Sequence, residues 1–427
     1  MRCTRPGNAF VLEPRIVRTE PRNASVAFIM IVLVLDTLGI GVVVPVLPRL
    51  IESFVHGDLA AASHRYGIFI ASYAVMQFVF APIVGGLSDR FGRRTVILTS
   101  LAGAALDYVL LAFAPTLGWL FVGRIFAGMT GASFSAATAY IADVTPPEKR
   151  AASFGMIGVA FGVGFIVGPA VGGLLGGVSL RAPFLLAAAL NFLNFVYGLF
   201  VLPESLPKDK RRAFSWRRAN SFGAMKNLAR SPVVLGLTAT IVCGYLAQQI
   251  LQCTWALHTE ARFGWKPLDV GLSLVVVGVT SAIVQGGLVK VVVGRFGERR
   301  AVLVGLVFSV AGYVALALAN RGWLLYVVMV PFALGGLVEP ATKALLTREV
   351  AANEQGELQG SLGSLMSMTS IVGPLLGTGL FARFAPEGSS PHIPGAAFFA
   401  AAALNALGLL LAARLFKGLG KSAPTPR

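Results

Sequence analysis

Charge is scarce in this chain, and acid is scarcer than base. Only 13% of the 427 residues are charged, 19 acidic against 36 basic. A soluble domain carries about 25% charged residues, so water is not the main solvent of this surface. Cysteine is nearly absent as well. Cys3 lies in the N-terminal tail, and Cys243 and Cys253 share one apolar segment. Their separation is about 15 Å of helical rise, too far for a bridge. The four histidines, His56, His64, His258 and His392, are expected in or beside loops. No spacing suits a metal site, so neither metal nor cofactor is expected. These shortages exclude disulfide scaffolds, soluble metalloenzymes and disordered chains.

What is abundant is apolar. Hydrophobic residues make up 56% of the chain, and its mean hydropathy is +0.75. A membrane-crossing helix needs about 20 predominantly apolar residues. Runs near 25–48, 66–87, 95–114, 117–142, 152–177, 182–202, 232–258, 268–293, 301–319, 323–346, 358–384 and 395–415 supply twelve. They are continuous instead of alternating, which excludes a membrane β-barrel. The expected class is an all-α polytopic membrane protein with twelve transmembrane helices. The first run lacks a small-residue cleavage site, so it is expected to stay as a helix and not to act as a signal peptide.

The net charge of +17 is placed unevenly. Alternate gaps hold few basic residues, while the others collect Arg90, Arg93, Arg94, Lys149, Arg150, Lys208, Lys210, Arg211, Arg212, Arg295, Arg299 and Arg300. Arg2, Arg5, Arg15, Arg18 and Arg22 stand on the same side in the N-terminal tail. This asymmetry follows the positive-inside rule and predicts that both termini are cytoplasmic in an inner membrane. The charge is therefore a topology and lipid-contact signal, and nucleic acid is not an expected partner.

The chain is written twice. Arg90-Phe91-Gly92 returns as Arg295-Phe296-Gly297, and Gly168-Pro169 returns as Gly373-Pro374, both at an offset of 205. One offset shared by two marks predicts two six-helix pseudo-repeats, 25–202 and 232–415. A basic linker at 203–231 joins them, with tails at 1–24 and 416–427. Parallel halves with a site at their interface are one architecture of secondary transporters. The chain is expected to work as a monomer.

Gly85-Gly86-Leu87-Ser88-Asp89-Arg90-Phe91-Gly92-Arg93-Arg94 resembles the loop 2–3 signature of the major facilitator superfamily. The stretch Gly164 to Gly173, with Gly168, Pro169 and Gly172, is similar to the fifth-helix motif of its proton-driven exporters. Gly123-Arg124, Gly128 and Gly131 resemble its fourth-helix motif. Leu35-Asp36, Gly39, Gly41, Pro45 and Pro48, with Leu106-Asp107-Tyr108, look like the tetracycline/proton antiporter branch of the drug:proton antiporters. The resemblance implies the twelve-helix fold and export of a small amphiphilic drug in exchange for protons. It also implies a cytoplasmic gate formed by Gly85, Asp89, Arg90, Gly92, Arg93 and Arg94, closed in the outward-open state. A metabolite symporter or facilitator on the same scaffold is the second reading.

Several residues carry chemistry on their own account. Asp36 and Asp107 lie inside apolar helices, where an ionisable group is costly and by default functional. Burial disfavours a lone carboxylate, as a reversible proton carrier requires. Arg124 is a candidate counter-ion, so these three form the expected proton-coupling set; recognition of a substrate cation and a static ion pair are the alternatives. Gly164, Gly168, Gly172 and Gly173 line small faces on which membrane helices approach closely. Gln77, Gln248, Gln252 and Gln285 are candidate substrate contacts, although amides also tie helices together. Glu339 and Lys343 stand four apart, as a neutralised pair or a second coupling site. Many tetracycline exporters carry an acid in helix nine and a histidine in helix eight, places that fall near Ser309 and Ser281 here.

Overall fold

The computed structural model describes residues 22–131, 133–146, 149–212, 231–350 and 354–421. Most of the expected tails and linker, at 1–21, 213–230 and 422–427, lies outside the described residues. The first half contains α1 (Arg22–Val43), α2 (Leu47–Ser53), α3 (Leu59–Phe91), α4 (Arg93–Phe113), α5 (Leu117–Thr130), α6 (Ser133–Val144), α7 (Arg150–Val178) and α8 (Ala182–Val201). The second contains α9 (Pro232–Phe263), α10 (Pro267–Ile283), α11 (Val289–Phe296), α12 (Glu298–Leu318), α13 (Gly322–Phe332), α14 (Val338–Arg348), α15 (Gln355–Phe384) and α16 (Ala396–Lys421). Counted with their short breaks, these make eleven spans, and α1 with α2 makes the twelfth, bent by 44°.

The breaks have local causes. Pro45 and Pro48 bound the bend between α1 and α2, where a ring in place of an N–H interrupts the helical ladder. The expected helix 117–142 is two helices, α5 and α6, parted at Gly131. A π-helical turn, Val284–Leu288, joins α10 to α11, and a 3-10 turn, Ala333–Leu337, joins α13 to α14 after Pro331. Irregular backbone at membrane depth persists where it is packed in protein or lines a cavity.

The repeat offset holds in three dimensions. Gly92 (φ +105°) and Gly297 (φ +79°) take the same left-handed role in equivalent turns, a conformation that favours glycine. The helices that follow, α4 and α12, begin and end 205 residues apart. Between halves, α3 packs on α15 and α7 packs on α10.

These contacts gather on the side opposite the linker, here the far side. There one apolar cluster draws from both halves, joining Leu50, Ile51, Phe69 and Phe184 to Cys253, Leu257 and Phe381. Toward the linker each cluster belongs to one half: Leu33, Ile97 and Tyr140 in the first, Leu237, Leu346 and Leu362 in the second. Among the described residues, the halves therefore share a core at the far side and none at the linker side.

Candidate functional site

Three helices of the first half build a buried ion pair. Arg124 on α5 meets Asp107 on α4 at 3.1 Å, their side chains 13% and 3% exposed. Gly123 permits this approach, because a Cβ there would stand 2.7 Å from Asp107 Oδ1. Gly128 brings α5 onto the backbone of Tyr73 in α3, where a Cβ would meet its carbonyl at 2.7 Å. The glycines of the fourth-helix motif thus set the distance between the charges.

The ion pair is only half satisfied. Among the described residues, Asp107 Oδ1 and Arg124 Nε have no hydrogen-bond partner. Instead, three rings surround the guanidinium: Phe69 at 5.2 Å, Tyr73 at 5.6 Å and Tyr108 at 6.0 Å. Ring faces attract a cation by about 0.5–2 kcal/mol each, more where water is excluded. Arg124 therefore keeps a favourable environment when Asp107 is neutral. One carboxylate oxygen is held by Arg124 and the other is free to take a proton. Asp36, half-buried on α1, acts electrostatically on Tyr73 and Tyr108, which puts it in the same cluster. Gln77 donates to Gly131 O at 3.2 Å and to Tyr73 Oη at 3.3 Å, so it fastens the α5–α6 break to α3.

The loop motif is a charge network at the linker side. Arg93 pairs with Asp89 at 2.7 Å and with Asp143 at the end of α6 at 3.2 Å. Its backbone N–H donates to Glu204 at 2.8 Å, and Arg94 donates to Leu199 O at 2.5 Å. Gly92 leaves room for the Glu204 carboxylate, while Gly85 meets no neighbour that a Cβ would touch. Arg90 is exposed, over the Phe91 ring. These contacts stay within the first half and the start of the linker, where Arg212 N–H donates to Asp89 O. In the second half Glu298 pairs with Arg348. These residues stand 205 after Arg93 and Asp143, so the same bridge recurs with its charges exchanged.

At the far side α7 lies between two partners. Gly164, Gly168 and Gly172 face Thr37, Gly41 and Val42 of α1, with a Cβ on Gly168 2.8 Å from Gly41 Cα. Gly173 faces α10 of the other half, where a Cβ would meet Pro267 O at 2.6 Å. Pro169 contributes to the same seam, its carbonyl lying against Gly271. Nearby, Arg49 Nε meets Glu260 at 2.5 Å, and its Nη2 donates to Trp265 O at 2.9 Å, bridging the halves. Gly173→Leu should prop α7 from α10 and expose Cys253, buried in the shared cluster. Faster labelling of Cys253 by a membrane-impermeant maleimide is the expected result.

In the second half Gln248, Gln252 and Gln285 are exposed side chains on α9 and the π-helical turn. Gln249, their neighbour, donates to Ser370 on α15 at 2.6 Å. Tyr245 Oη donates to Glu339 at 2.8 Å, and Lys343 joins the same carboxylate at 2.6 Å. Ser309 is buried with its hydroxyl against Gly335, and Ser281 is half-buried on α10.

Sequence reasoning did not find the rings around Arg124, because aromatics in an apolar chain read as packing. It also passed over Arg49 with Glu260, which lie far apart in sequence. Asp143 was findable: it sits one repeat before Arg348. His258 corrects an expectation. It is buried on α9, not at a loop, with Nδ1 3.1 Å from Pro394 O and its ring 4.6 Å from that of Phe398. The helix runs five residues past the expected end, to Phe263, where Gly264 in the left-handed conformation caps it.

The comparisons agree on one family. The Major Facilitator Superfamily profile matches residues 29–318 and 245–427. The tetracycline resistance protein, class C, of Escherichia coli is 44% identical over 363 residues, 85% of this chain and 91% of that one. The class G protein of Vibrio anguillarum is 39% identical over 374 residues, 85% and 92% of the two chains. The crystal structure of the human organic anion transporter MFSD10 aligns with a TM-score of 0.68 at 23% identity, covering 92% of this chain and all of that one.

Proposed function

Because the chain belongs to the Major Facilitator Superfamily, we propose that this membrane transporter exports a tetracycline-like amphiphilic drug in exchange for protons. It is a transporter and not an enzyme, and its bilayer-spanning helices carry a small-molecule substrate. The observation that carries the antiport reading is the half-satisfied Asp107–Arg124 pair inside its aromatic ring cluster.

The basic linker side faces the cytoplasm in this reading, with both termini there. The present state, closed at the far side with Asp107 bound to Arg124, follows proton release and accepts substrate from the cytoplasm. Substrate binding favours rearrangement to the outward state, where Asp107 and Asp36 take protons as substrate leaves. Proton and substrate each favour a different occupancy, and that differential affinity couples them. One charge crossing the field is worth about 2.3 kcal/mol per 100 mV, enough for a steep uphill gradient. The loop 85–94 takes partners across the halves when the cytoplasmic side closes, and the fifth-helix glycines keep the far side tight. Gln77, Gln248, Gln252 and Gln285 line the substrate's path.

Expression in a pump-deficient host, with susceptibility profiling across tetracyclines and unrelated amphiphiles, tests the substrate class. Raised tolerance to tetracyclines, abolished by an uncoupler, is expected. In proteoliposomes, substrate addition should drive proton flux opposite to substrate; co-directional flux would establish the symporter reading instead.

A further inference from the structure

The first half uses its embedded charges in the proton cluster, but the second half holds a separate set with no assigned role. Glu339 and Lys343 on α14 pair at 2.6 Å with side chains 48% and 34% exposed, and Tyr245 on α9 donates to the same carboxylate. An i,i+4 pair on a helix contributes little to stability. Placing one charged residue at membrane depth costs several times more. Pairing alone does not offset two such insertions, so helix stability is not a sufficient account of the cluster.

Its surroundings point to a ligand. α14 packs through Val338, Ala341, Thr342 and Leu346, while Glu339 and Lys343 stay about half-exposed. Tyr245, Gln248 and Gln252 follow at i, i+3 and i+7 on one face of α9, and both glutamines are exposed. Gln285, on the π-helical turn, stands beside Gly336, one turn before Glu339. Tyr245, Gln285 and Glu339 each lie about 17 or 18 residues in from the far-side ends of their spans, at one depth. Charged and amide groups meeting from three helices face water and not hydrocarbon. Asp107 and Arg124 lie only about two turns from their far-side ends, which sets the two charged sites roughly 15 Å apart in depth.

We propose that Glu339, held by Tyr245 and Lys343 and facing Gln285, receives the protonated amine of an amphiphilic substrate arriving from the linker side. The inference rests on the drug-export reading and deepens it. Glu339 offers a carboxylate whose local partner, Lys343, is partly exposed, so a substrate ammonium can replace it while Lys343 turns to water. The amides of Gln248, Gln252 and Gln285 take the remaining polar groups of the ligand. Substrate and proton then bind at different depths, and their competition works through the conformation of the halves instead of through one shared carboxylate.

The test is equilibrium binding to the full chain in nanodiscs, with tetracycline and 4-dedimethylaminotetracycline as probes that differ by one amine. The wild type is expected to favour the amine-bearing probe by about tenfold, the scale of one hydrogen bond to a charged group. Glu339→Gln should erase that preference while leaving affinity for the amine-free probe unchanged, which also reports an intact fold. Glu339→Asp should restore part of the preference. Retained preference in Glu339→Gln, or equal loss for both probes, would overturn the proposal. So would a wild type that binds both probes alike. Loss of substrate-linked proton flux with the preference intact would reassign Glu339 to proton coupling. A wild type that binds neither probe sinks the tetracycline reading and this site together, whereas binding without export fails only the former.

Discussion

Asp107→Asn is expected to reduce proton-driven uptake in proteoliposomes to the level of protein-free vesicles, while the protein still inserts and folds. The amide removes the ionisable carboxylate but keeps its shape beside Arg124. Removing one partner of a buried pair typically costs about 3–5 kcal/mol, because the other charge is stranded. Here Phe69, Tyr73 and Tyr108 offset part of that loss by holding the guanidinium, so the variant should remain folded. The decisive readout is substrate counterflow, an exchange that needs no net proton movement. Counterflow should survive in Asp107→Asn and uptake driven by a pH gradient should not. Asp36→Asn is expected to behave alike, since its charge acts on the same tyrosines. Gradient-driven uptake that persists in both variants would leave the buried pair as a packing element.

The second large effect is expected at the bridge between halves. Arg49 and Glu260 are 28% and 25% exposed, so solvent screens part of their attraction. Reversing one charge converts attraction to repulsion where the halves must close. Arg49→Glu alone should shift the conformational balance by about tenfold toward the state open at the far side. Transport should fall, and Cys253 should react faster with an impermeant maleimide. The double reversal, Arg49→Glu with Glu260→Arg, should recover both. Recovery separates a latch from a general loss of packing, since two disruptive substitutions would otherwise compound. The same cluster of Leu50, Phe69 and Phe381 that closes the far side includes a ring over Arg124. Opening the latch therefore disturbs the surroundings of Arg124 directly, which gives a physical route from gate to charge.

Much of this architecture is legible in the sequence. Long apolar runs gave the spans, and the offset of 205 gave the pairing of the two halves. That offset reappears in the left-handed glycines at 92 and 297. Asp107 and Arg124 stood out because an ion inside an apolar helix is costly wherever it lies. The helix breaks were less legible. Gly131 and the turn at 333–337 interrupt runs whose hydropathy is unbroken, because neighbouring helices decide where backbone may bend.

The sequence alone determined that this chain spans a membrane with twelve helices in two related halves and buries acids among them. Hydropathy and repeat are written residue by residue, and the bilayer enforces both without reference to any neighbour. Only the tertiary structure decided which residues meet: the rings around Arg124, Arg49 against Glu260, and Tyr245 with Glu339 and Lys343. Those pairs join positions distant in the chain on helices of nearly uniform apolar character. Which face turns inward is set by packing with small residues, and that information is not local to any segment.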